Sequence, residues 1–141
     1  MTFSKPSALV KPTISTRFHI DYEWWERAPE DLRYYLLSHL KPEQRARVAE
    51  LPESEVIDYI DPQTGEVHQM DAIKLAIFEA SQAEDFIDQH TSLVDSVFRV
   101  LLKFNNRPMT PVELAQYAGR DAETILKTIG GRQIYKGIRP A

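Results

Sequence analysis

The chain has 141 residues, of which 43% are hydrophobic and 27% charged, and its formal net charge is −4. That length fits one ordinary domain or two small units that bury roughly two-thirds of their unfolded surface, and the composition excludes a disordered or fibrous chain. There is no cysteine, which excludes disulfide frameworks, thiolate zinc sites and cysteine nucleophiles.

No run approaches the roughly 18 apolar residues of a membrane span, and Ala8-Leu9-Val10 is too short for a signal-peptide core. The expectation is cytoplasmic residence with no membrane partner. The net charge hides an asymmetry. Residues 1–20 carry three basic residues and no acid; 21–90 carry 6 basic and 17 acidic residues; 91–141 carry 8 basic and 4 acidic. Three segments follow: a basic N-terminal arm (1–20), an acidic helical region (21–90) and a basic C-terminal unit (91–141). A basic tail points to an anionic partner, or to internal compensation by the acidic middle.

In chain order, Pro6 and Pro12 keep the arm from regular helix. Thr13–Ile20 alternates and is β-branched, which predicts a short strand. Asp21 caps a turn holding Tyr22, Trp24 and Trp25. Pro29, Glu30 and Asp31 read as a first helical turn, with Leu32, Tyr35, Leu36 and Leu40 on one face. Pro42 opens another short helix, stopped by Pro52.

The period then becomes alternating. Val56–Ile60 and Glu66–Met70 predict a hairpin about Asp61-Pro62-Gln63-Thr64-Gly65. From Asp71 a helical stripe returns with Ile73, Ala76, Ile77 and Ala80, extended less regularly to Phe86 and Ile87. A helix from Thr91 carries Leu93, Val94, Val97, Val100, Leu101 and Phe104, with Phe98 and Leu102 on a further face. Apolar on most sides, it is predicted to be the buried helix.

Asn105-Asn106-Arg107-Pro108 ends that helix. Thr110, Pro111 and Glu113 form a capping box for a helix to Ala118, and Gly119 supplies a turn. Asp121 caps the next helix, Ala122 to about Ile129, which stops at Gly130-Gly131. Helix, glycine turn, helix: with Ala115 four residues before Gly119 and Ile125 six after, this third of the chain resembles the helix-turn-helix superfamily, particularly its winged-helix branch. In that family a small residue sits where the helices cross, a glycine makes the turn, and a branched residue anchors the second helix.

The resemblance implies that the helix from Ala122 faces the major groove of duplex DNA. Thr124 and Lys127 would reach bases or backbone, while Arg120, Arg132, Lys136 and Arg139 would contact phosphates. Residues 132–139 would form a strand or reduced wing, whose partner would have to be another segment such as Thr13–Ile20. Two departures stand out. Asp121 and Glu123 repel phosphate, and the second helix lacks the Arg, Asn or Gln that read bases bidentately.

The expected fold is therefore mainly α with a small β-hairpin and a C-terminal winged-helix-like helix-turn-helix unit. The expected function is non-enzymatic: a DNA-associated regulator, with the acidic half supplying dimerisation or recruiting a partner. The alternative is a protein-interaction adaptor or complex subunit, with Trp24 and Trp25 as a partner anchor. Neighbouring residues on a helix point about 100° apart, so the plainer reading puts one tryptophan in the core and the other at its rim. His19 with Asp21 and Glu66 with His68 have a same-face strand spacing conceivable for a metal, but solvated strand side chains are the simpler reading. No metal or cofactor is expected, nor is a catalytic site: Gly-x-Ser-x-Gly, Walker A and Gly-x-Gly-x-x-Gly patterns are all missing from the sequence.

Overall fold

A computed structural model describes residues 11–50, 56–60 and 64–141. Among these the protein is mainly helical with a small antiparallel hairpin, as expected. The elements are β1 (Phe18–Ile20), α1 (Tyr22–Arg27), α2 (Leu32–Leu37), α3 (Pro42–Ala49), β2 (Val56–Ile60), β3 (Val67–Asp71), α4 (Ala72–Ser81), α5 (Leu93–Lys103), α6 (Pro111–Ala118), α7 (Ala122–Ile129) and β4 (Ile138–Pro140). Among the described residues no helix is long and apolar enough to cross a membrane.

The chain divides into two units, but not at the boundaries that charge and composition indicate. The N-terminal stretch to Ala28 belongs with Ile87–Ala141, and Pro29–Phe86 is a unit inserted between them. This division differs from the segments at 20/21 and 90/91 because β1 and α1 make contacts with the C-terminal third. The regrouping sharpens the charge asymmetry. Residues 1–28 and 87–141 hold 12 basic and 8 acidic residues; 29–86 holds 5 basic and 13 acidic.

In the inserted unit, α4 touches α2, α3 and both strands of the hairpin. Tyr35, Leu40, Val48, Ile73, Ile77, Ala80 and Phe86 are buried. The helix expected from Pro29 starts later, because Asp31 is its cap: the Asp31 carboxylate accepts the Arg33 N–H at 2.9 Å. The stripe after Asp71 likewise ends at Ser81, and a single 3-10 turn, Glu84–Phe86, buries Phe86. In the hairpin Ile60 lies opposite Val67 and Asp58 opposite Gln69. Asp61, Pro62 and Gln63 of the expected turn lie outside the described residues.

The other unit is built around α5, whose Val97, Phe98, Val100 and Leu101 are fully buried, with Phe18, Ile20, Met109, Leu114, Ile125 and Ile138 completing the core. β1 lies between β4, with which it forms a two-stranded sheet, and Met109, which joins its other edge by a single bridge. On one edge the Phe18 N–H donates to the Met109 carbonyl at 2.8 Å, and the Met109 N–H returns the bond at 2.9 Å. On the other, β1 pairs antiparallel with β4, Ile20 opposite Ile138. The Asn106 side-chain amide continues the first edge as an extra rung. Its Oδ1 accepts the Ile20 N–H at 2.7 Å and its Nδ2 donates to the Ile20 carbonyl at 2.9 Å. A buried strand edge needs such partners, since an unpaired buried amide is costly. The strand expected over 13–20 is thus cut to three residues, and the one expected over 132–139 begins only at Ile138.

Candidate macromolecule-binding surface

The helix-turn-helix segment is assembled by local hydrogen bonds that the sequence announces. Thr110 and Glu113 close the capping box of α6: the Thr110 N–H donates to Glu113 Oε1 at 3.0 Å, and the Glu113 N–H donates to Thr110 Oγ1 at 3.1 Å. Gly119 takes φ 70°, the left-handed conformation that ends α6 and that L side chains adopt reluctantly. Asp121 then caps α7 by accepting the Thr124 N–H at 3.1 Å. Ile125 is fully buried. Ala115, expected at the helix crossing, is only half-buried, and the buried positions of α6 are Pro111, Leu114 and Ala118. The stripe is set by the 3- and 4-residue spacing from Pro111, so the small residue facing inward is Ala118.

The six side chains that the resemblance offers to DNA have different fates. Lys127 and Arg132 are exposed. Thr124 is exposed, but its hydroxyl is held by the Asp121 carboxylate. Arg120 turns back into its own unit: Nη1 donates to Ser96 Oγ and to the Ala118 carbonyl, both at 3.0 Å, and Nη2 donates to the Thr91 carbonyl. Arg139 pairs with Asp21 at 3.4 Å. Lys136 is half-buried with φ 55°, and its carbonyl accepts the indole N–H of Trp25 at 3.0 Å. Arg120 and Arg139 are thus engaged within their own unit, the first by Ser96 and two carbonyls and the second by Asp21.

Trp25 is 5% exposed and meets Phe98 edge-on at 6.3 Å, so it is part of the core. Trp24, half-buried, meets it edge-on at 5.1 Å. His19 lies in β1, opposite Arg139, while Glu66 and His68 belong to the inserted unit. Among the described residues no group of three His, Asp or Glu could hold a metal ion.

Three features escape a reading of the sequence. The first is a cationic end of α7. Pro12 packs beside Gly130, where an added Cβ would lie 3.6 Å from the Pro12 Cβ. The Lys11–Pro12 segment thus runs past the end of α7, whose last turn holds exposed Lys127, with exposed Arg132 just beyond it. Cations at a helix C-terminus are favoured by its dipole. The second is an aromatic pair, Phe104 and Tyr117, with ring centroids 4.7 Å apart and the Arg107 guanidinium 5.3 Å from the Phe104 ring. The third is a cavity of about 280 Å³ between Ile87–Gln89 and Tyr117–Arg120. Its Asp88 carboxylate accepts the N–H groups of His90 and Thr91 at 2.8 and 3.0 Å.

Three carboxyls are held below their usual range. For Asp88 the main cause is the His90 backbone N–H, then the Thr91 hydroxyl. For Glu113 it is the Thr110 backbone N–H, then the Thr110 hydroxyl, helped by the charges of Arg17 and Arg107. For Asp121 it is the Thr124 hydroxyl, then its N–H. A lowered folded-state pKa contributes stability that is complete above the unfolded value and lost as pH falls through the folded one. Stability is therefore expected to drop below about pH 4, where unfolded carboxyls protonate. In Asp121→Asn, which keeps a capping acceptor, the melting temperature should fall less between neutral and acid pH than in the native chain. An unchanged acid slope would remove Asp121 from this account. Comparison with protein-family models, with curated proteins and with solved structures finds no match.

Proposed function

We propose that this chain is a non-enzymatic, DNA-associated regulatory protein of the cytoplasm, whose α5–α6–α7 unit is a winged-helix-like helix-turn-helix. The observation that carries the reading is the exposure of Lys127 and Arg132 at the C-terminal end of α7, past which the Lys11–Pro12 segment runs, on the unit that holds the chain's excess of basic residues. In this reading the contacts are to phosphates and position the protein on the duplex. Base reading by the start of α7 is not part of it, because Asp121 and Glu123 stand there.

Neutralising three phosphates lowers affinity about 40-fold when salt rises from about 50 to about 200 mM, through counterion release. Fluorescence anisotropy with a labelled duplex is expected to show that slope. Lys127→Glu with Arg132→Glu should abolish binding while the circular-dichroism spectrum and melting temperature stay unchanged. Native protein that binds no better than the double variant at low salt would end the DNA reading.

The second reading is a protein-interaction adaptor or complex subunit using the same unit. It is favoured by the engagement of Arg120, Arg139 and the Thr124 hydroxyl inside the unit, which leaves the acidic start of α7 poorly suited to a nucleic acid. The half-buried Trp24 then belongs to the rim of the partner surface.

A further inference from the structure

Two exposed patches of the molecule carry apolar side chains among charges of opposite sign. The first is on the inserted unit. Cross-strand partners Ile60 and Val67 are 64% and 61% exposed, on the same side of the hairpin as exposed Asp58 and Gln69. Exposed Glu66 adjoins Val67. Among the described residues nothing covers this aliphatic cross-strand pair, whereas a short two-stranded sheet normally needs a covering layer. The second patch is on the other unit. Tyr117 is 44% exposed beside the half-buried Phe104 ring, with the Arg107 guanidinium over that ring and Lys103 one residue before it. Arg17 lies 3.6 Å from Glu113 on the same helix, four residues from Tyr117.

Each patch has a complementary occupant on the same chain, and it is the other patch. The aliphatic pair sits among acids on a segment with 13 acidic and 5 basic residues, while the ring pair sits among cations on one with 12 basic and 8 acidic. An aliphatic knob with an acidic border is what a ring pair with a basic border receives, since borders of opposite sign steer and fix such a contact. We propose that this chain associates head to tail, the Ile60–Val67 pair of one copy seating on the Phe104–Tyr117 rings of a second copy. A heterologous contact of this kind leaves one free patch at each end and so adds copies in rows or closes a ring. The contact is small, so association is weak and depends on concentration and on salt. It uses neither Lys127 nor Arg132 and does not rest on the DNA reading.

The test is sedimentation of the full chain and of two variants, each checked for an unchanged circular-dichroism spectrum and melting temperature. One variant, Ile60→Glu with Val67→Glu, has only the ring patch; the other, Arg107→Glu with Tyr117→Glu, has only the hairpin patch. All substituted side chains are solvent-exposed. The native chain is expected to gain weight-average mass with concentration up to roughly 200 µM in about 50 mM salt, and to lose that gain in about 500 mM. Each variant alone should stay a single chain. Their equimolar mixture should form a species of two chains and no larger, because each supplies the patch that the other lacks. A native chain that stays single at every concentration overturns the proposal. So does a variant that assembles like the native chain, or a mixture that remains single.

Discussion

Replacing Gly137 by alanine is expected to cost about 3–6 kcal/mol of folding stability. Three contributions add. Gly137 has φ 77°, a conformation that costs an L side chain roughly 1–2 kcal/mol. A Cβ there would also lie 2.9 Å from both the Asp21 carbonyl oxygen and the Trp25 indole nitrogen. Neither can yield cheaply. Asp21 is fixed to the same glycine, whose carbonyl accepts the Asp21 N–H at 2.8 Å, and the indole is fixed by its bond to the Lys136 carbonyl. Overpacking of this sort costs roughly 1–3 kcal/mol, and a weakened hydrogen bond adds about 1 more. Urea unfolding followed by tryptophan fluorescence measures the loss. A loss below about 1 kcal/mol would show that the β1–β4 end of the unit is far looser than this geometry.

Arg120→Ala is expected to cost about 3 kcal/mol. Hydrogen bonds to charged groups contribute roughly 1.5–3 kcal/mol each, and three converge on this guanidinium. The side chain is half-exposed, so solvent screens part of that sum. What remains after truncation decides the magnitude. Ser96 is fully buried and keeps only its own bond to the Thr91 carbonyl, at 3.3 Å, while the Ala118 carbonyl at the end of α6 loses a donor. Lysine at this position offers a point charge in place of a planar fork, and Arg120→Lys should recover less than half of the loss. In a double-mutant cycle with Ser96→Ala, coupling near zero would mean that the guanidinium does not hold α5 to the end of α6. The contrast with Lys127 is diagnostic. Its charge reversal with Arg132 is expected to remove duplex affinity and leave stability untouched, whereas Arg120→Ala removes stability first.

What could be read in the sequence was local. Thr110 with Glu113, Asp121 with Thr124, and Gly119 at a positive φ are interactions within a few residues of one another, and the side chains involved leave few alternatives. The all-round apolar character of Leu93–Lys103 likewise required burial wherever the helix was placed. The hairpin followed from its alternation. The site was much less legible. A basic residue beside a helix looks the same in the sequence whether it faces water or its own backbone, and Arg120 and Arg139 were read as outward-facing for that reason. Asn106 gave only the signal of an asparagine that tolerates a positive φ. Nothing within the sequence paired it with Ile20, 86 residues away.

The helix types, their caps and the buried stripe of α5 were decided by the sequence, because each depends on neighbours separated by one or two turns of the backbone. The need for a partner to the C-terminal strand already pointed to Thr13–Ile20, but the tertiary structure alone put Met109 and Asn106 on the other edge of β1. It also brought Pro12 against Gly130 at the end of α7, and turned Arg120 inward. Those outcomes depend on which distant backbone edges and cavities come within hydrogen-bond reach, a condition that exists only once the chain has closed on itself.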